Sequence, residues 1–194
     1  MNLSAQEYLA KLLAKENLSV QHGNYSTASF DVVNRVLRLP LWKDKGKDVY
    51  DLLVGHEVGH ALYTPADGWH DVATDETKNK NFKSFLNVVE DARIEKKVIR
   101  KYPGLKSSFR KAYAELSDRD FFGIQHRNIN HMSFIDRLNI YTKSQYSENI
   151  RFSVEEMQMI GEVQMLETWE DVLRVTEKIY GYCKNEQAEL SAGD

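Results

Sequence analysis

Two histidines, His56 and His60, stand four residues apart in a run that is otherwise rich in apolar side chains: Val49, Leu52, Leu53, Val54, Val58, Ala61 and Leu62. On an α-helix this spacing stacks both imidazoles on one face, where both reach a single ion. The apolar surroundings argue against two histidines that simply face water. Gly55 and Gly59 repeat the four-residue step. Each glycine costs a helix about 1 kcal/mol relative to alanine. Such a pair clears one face for close approach by backbone, by a metal loop or by substrate. The helix is expected from about Asp44 or Asp48 to about Tyr63. Thr64-Pro65 ends it, because the residue before a proline avoids the helical region.

Glu57 follows the first histidine, completing His56-Glu57-Val58-Gly59-His60. In this arrangement a carboxylate lies beside the open position of a bound metal. There it takes a proton from metal-bound water and later delivers it to a leaving amine. Imidazole and carboxylate donors without thiolate favour zinc, one ion per chain. A metzincin would carry glycine at Tyr63 and a third histidine at Ala66, so that class is excluded. The third ligand is then expected on a later helix, within Asn87-Val88-Val89-Glu90-Asp91-Ala92-Arg93-Ile94-Glu95. Acids that interrupt a core-facing apolar run are costly unless paired or metal-bound. Glu90 is the expected ligand. Asp91, which shares a helical face with Glu95, is the expected acceptor for a ligand histidine N–H, and Arg93 anchors the carboxylates. His70 competes as ligand or serves as a substrate-side hydrogen-bond donor. Tyr63, His70, Tyr113, His126, His131 and Tyr141 are all candidates to stabilise an oxyanion.

The rest of the 194 residues reads as mostly α with a small antiparallel β element, an α+β chain. A helix from Ser4 to about Asn17 precedes short strand-like runs at Leu18–Gln21, Thr27–Asp31 and Arg35–Leu39. An edge of that sheet would suit docking of an extended peptide. Residues 66–80, rich in Asp, Gly and Thr, read as a long loop. Further helices are expected at 81–102, 106–117, 132–145, 154–166 and 168–183. The last has Thr168 as N-cap and Asp171 as the reciprocal acid. Residues 185–194 read as a polar tail or linker. One domain over 1–184 is expected, with a metal core at 28–102 and a helical part at 105–184.

The net charge of −3 gives no nucleic-acid footprint. The basic run Lys96–Lys101 suits the C-terminal end of a helix, where cations meet the macrodipole favourably. No apolar stretch is long enough to cross a membrane. A single cysteine, Cys183, forbids an internal disulfide and points to the cytoplasm.

The segment HEVGHALYTP, followed some twenty residues later by NVVEDARIEK, resembles a gluzincin-like peptidase module. That module occurs in cobaltochelatase large-subunit-like proteins, in nitric-oxide-reductase-activation-like proteins and in proteins of large tailed phages. The resemblance covers roughly residues 28–102. It implies a zincin-like core, His56, His60 and Glu90 as metal ligands, Glu57 as catalytic acid/base, and a protein or peptide substrate. For a phage-borne chain it implies the host cytoplasm. Relatives usually continue into a von Willebrand A-type domain with an Asp-x-Ser-x-Ser motif, which this chain lacks. The alternative function is a catalytically silent, metal-stabilised module that recruits a partner protein.

Overall fold

The computed structural model describes residues 18–41, 46–75, 80–120, 122–145 and 149–192. The helix expected at Ser4–Asn17 lies outside the described residues. The class is mostly helical with a small sheet, as expected. The strands are β1 (Ser19–Gly23), β2 (Ser29–Asp31) and β3 (Val36–Pro40). The helices are α1 (Lys47–Tyr63), α2 (Ala66–Thr74), α3 (Lys80–Lys101), α4 (Leu105–Asp118), α5 (Phe134–Lys143), α6 (Val154–Gln164) and α7 (Trp169–Ala192).

The chain divides into two compact units, one of residues 1–71 and 94–121, the other of residues 72–93 and 122–194. Helix α3 is continuous and enters both. Helix α4, expected in a C-terminal helical part, belongs to the first unit.

In the first unit the sheet is mixed rather than wholly antiparallel. Its order is β1-β3-β2, with β1 parallel and β2 antiparallel to β3. The central place goes to the most apolar strand: Leu37 and Leu39 of β3 are fully buried. Ser19, Gln21 and His22 leave β1 polar and exposed at one edge. The turn into β3 is held by Asp31, whose carboxylate accepts from the Asn34 backbone N–H and side-chain amide, each at 2.9 Å. Arg35 follows with φ of 57°. Its guanidinium donates to the Ala61 carbonyl at 2.8 Å, in the last turn of α1. A cation there meets both an orphan carbonyl and the negative end of the helix dipole.

Helix α1 is buried on most of its circumference, including Val49, Leu52, Val54, Val58 and Ala61. Thr64 is extended and ends it one residue before Pro65. The stretch expected to be a loop then forms α2 instead. Pro65 sets up a helix start, Asp67 lies in the first turn, and the Trp69 N–H donates to the Pro65 carbonyl at 2.9 Å. Residues 76–79 of that expected loop lie outside the described residues.

The glycine pair of α1 admits side chains of neighbouring helices. A Cβ on Gly55 would fall 2.8 Å from the Phe109 ring of α4, and one on Gly59 would fall 2.8 Å from Ile94 of α3. Phe109 and Ile94 are both fully buried, so neither has open space to retreat into.

The second unit packs Phe82 and Phe85 edge-on against Tyr180, with ring centroids 5.4 and 5.2 Å apart. A buried pair joins Arg137 of α5 to Glu156 of α6, and Arg137 also donates to the carbonyls of Met132 and Arg151. Ser153 and Glu156 cap α6 reciprocally. Thr168 and Asp171 do the same for α7, as expected, with bonds of 3.0 and 3.1 Å. The amides of Thr168 and Glu167 hold the Asp171 carboxyl down to about 2. Helix α7 continues to Ala192, through much of the expected polar tail.

Gly55→Ala tests the close approach. The methyl group should overlap the Phe109 ring by more than the helix-propensity gain offsets, for a net loss of about 1 kcal/mol. Chemical denaturation should show that loss. A more stable Gly55→Ala would mean that the two helices are not in this contact.

Candidate metal centre

Helix α1 aims both histidines at one point. The Nε2 atoms of His56 and His60 lie 3.2 Å apart, and the rings meet at 77°. Each ring is held at its other nitrogen. His56 Nδ1 lies 2.8 Å from Glu95 Oε1, and His60 Nδ1 lies 2.9 Å from Thr64 Oγ1. Facing an ionised Glu95, which only accepts, His56 would carry its proton on Nδ1 and offer a lone pair at Nε2. The Thr64 hydroxyl can accept from His60 Nδ1–H or donate to a bare Nδ1. With Nδ1–H on both rings, two lone pairs converge as they do around a cation; with the proton on His60 Nε2, that ring donates instead to His56 Nε2.

The carboxylates come from α3. Asp91 and Glu95 share its face one turn apart, the same four-residue step that joins His56 to His60. Glu95 is buried, with its side chain only 10% exposed, and also receives the Tyr113 hydroxyl of α4. Gly59 makes this geometry available, because Ile94, the neighbour of Glu95, lies where its side chain would be. The continuous helix α3 carries Asp91 one turn before Glu95. His56, His60 and Asp91 each offer one ligand atom, all within 4.8 Å of one another.

Glu90 is not part of that group. It is fully buried and takes a two-pronged bond from Arg93, at 2.7 and 2.8 Å. Arg93 donates further to the Glu167 carbonyl at 3.1 Å. Arg93 thus anchors Glu90, and the carboxylate grouped with the two histidines as a possible ligand is Asp91. Asp91 also accepts from Lys143 Nζ at 3.2 Å. The histidine N–H acceptor expected at Asp91 is found at Glu95.

Glu57 is buried on α1, one residue beyond His56. His70 is exposed on α2. Tyr63 has Lys97 5.2 Å above its ring, and burial together with Tyr102 holds its phenol above the usual range. His126 and His131 are exposed in the second unit, and Tyr141 there packs against Phe152 at 5.1 Å. Among the oxyanion candidates, Tyr113 is bonded to Glu95, a partner of His56. Thr64, Glu95 and Lys143 received no role from the sequence. A signal for the first two exists in the spacing, since Thr64 follows His60, and Glu95 follows Asp91, by one helical turn.

The donor set fits a borderline ion such as Zn²⁺, with two imidazoles and a carboxylate. The single thiol belongs elsewhere: Cys183 is buried in the second unit, and burial pushes it up to about 11. No described helix is long and apolar enough to cross a membrane. Comparisons with family models, with curated proteins and with solved structures returned no match.

Zinc uptake should follow Asp91, and stability should follow Glu90. Asp91→Asn should bind zinc poorly in equilibrium dialysis. Glu90→Gln should bind it when folded, yet unfold with a loss on the order of 3 kcal/mol, because Arg93 loses its charged partner in the interior. Loss of zinc by Glu90→Gln at unchanged stability would assign the ligand to Glu90.

Proposed function

We propose that the chain is a zinc-dependent hydrolase with a zincin-like metal core, and that it cleaves peptide bonds. The observation that carries this reading is the 3.2 Å approach of two histidine Nε2 atoms, each ring engaged at its other nitrogen. Two ligands about 2.0–2.1 Å from one tetrahedral ion lie about 3.3 Å apart. The histidine pair already has that spacing.

His56, His60 and Asp91 would hold the ion. When bound, zinc supplies a Lewis acid that polarises a carbonyl and lowers the pKa of water to about 7. Glu57 moves the protons: its carboxylate accepts one from the attacking water and returns it to the departing amine. A buried carboxylate next in sequence to a ligand histidine suits that task. The single, buried Cys183 is in keeping with a cytoplasmic setting.

Metal analysis and proteomic cleavage profiling of the wild type beside Glu57→Gln test the proposal. Both should hold about one zinc per chain. Wild type should generate new peptide termini, and the variant should do so at least about a hundredfold more slowly. Equal cleavage by both would rule out Glu57 as the base. Stoichiometric zinc with no cleavage by wild type would favour a metal-stabilised module that recruits a partner protein.

A further inference from the structure

We propose that Tyr113 is a positioning residue of the metal centre, acting through Glu95 on His56. Its binding consequence rests on the zinc reading above; its effect on the His56 ring does not. The Tyr113 hydroxyl donates to Glu95 Oε1, and His56 Nδ1 lies 2.8 Å from that same oxygen. Tyr113 is itself buried, 8% exposed, with its ring edge-on to Phe109 at 6.4 Å. Phe109 in turn occupies the space left by Gly55. The hydroxyl is therefore fixed by the packing of α4 on α1, the helix that carries His56.

The two histidines are supported unequally. His60 leans on the neutral Thr64 hydroxyl of its own helix, whereas His56 leans on a carboxylate from another helix. A carboxylate makes the imidazole a stronger ligand and selects the Nδ1–H tautomer. The last torsion of a glutamate is broad, so its carboxylate direction needs an outside constraint. Tyr113 supplies it from one side and His56 uses it from the other. Removal of the hydroxyl takes away one constraint on the Glu95 carboxylate and blurs the orientation of His56 Nε2.

The test compares wild type, Tyr113→Phe, Glu95→Gln and the double variant, all as the full chain. Long-range ¹H–¹⁵N NMR of the metal-free protein reads histidine tautomers. Competition with a chromophoric chelator reads zinc affinity. In wild type His56 should be protonated on Nδ1. Tyr113→Phe should mix its tautomers while leaving His60 unchanged, and should weaken zinc binding about tenfold. Glu95→Gln should weaken it about 10- to 100-fold. The double variant should bind no more weakly than Glu95→Gln alone, because the hydroxyl acts only through that carboxylate. Unchanged His56 signals and affinity in Tyr113→Phe would overturn the proposal, even with a lowered Tm. So would two single effects that multiply. A wild type that takes up no zinc contradicts the zinc reading, and the NMR comparison then decides alone whether Tyr113 sets the His56 ring.

Discussion

The site depends on a close approach at Gly59. The Ile94 side chain of α3 lies 2.8 Å from where a Gly59 Cβ would be, so it packs directly on the backbone of α1. That contact brings Glu95 within hydrogen-bond reach of a histidine on α1. Gly55 does the same for α4, admitting Phe109, which lies one turn before Tyr113. Two residues that weaken α1 as an isolated helix thus set the spacing at which three helices present their polar groups. Packing stabilises the helix in compensation, since α1 is buried on most of its surface.

Burial at this spacing makes every polar group consequential. An isolated charge in the interior is costly, whereas a paired one is tolerated. Glu90 is matched by Arg93, Asp91 by Lys143, and Glu156 by Arg137. Such pairs contribute little net stability, but each fixes a direction. The Glu90–Arg93 pair fixes one face of α3, and Asp91 and Glu95 occupy another. The same helix thus carries the carboxylate paired with Arg93 on one face and the carboxylate bonded to His56 on another.

Much of this was legible in the sequence. The step from His56 to His60, the stop at Thr64-Pro65 and the Thr168/Asp171 cap are local, and local rules describe them. The glycine pair announced a close approach but not its occupant, because Phe109 and Ile94 are brought there by tertiary packing. The same limit applies to the sheet. Strand proximity suggested an antiparallel arrangement, yet the most apolar strand, β3, took the centre and left β1 parallel to it. Residues 66–74 have the composition of a loop, but Pro65 and Asp67 favour a helix start. On α3, Glu90 and Asp91 differ by about 100° of helical phase. The sequence marked both as costly acids and pointed to Glu90 as ligand, but helical phase alone does not fix which of the two faces the histidines. The phase relation of Asp91 to Glu95 was visible, and the roles followed once Glu95 was placed against His56.

The central claim is that α1 and α3 form a zinc centre from two imidazoles and oxygen. X-ray absorption at the zinc edge of the zinc-loaded protein reads that coordination directly. The account predicts a first shell of nitrogen and oxygen at about 2.0 Å, with outer-shell scattering from two imidazole rings. Sulfur at about 2.3 Å, or a shell without imidazole scattering, would contradict it.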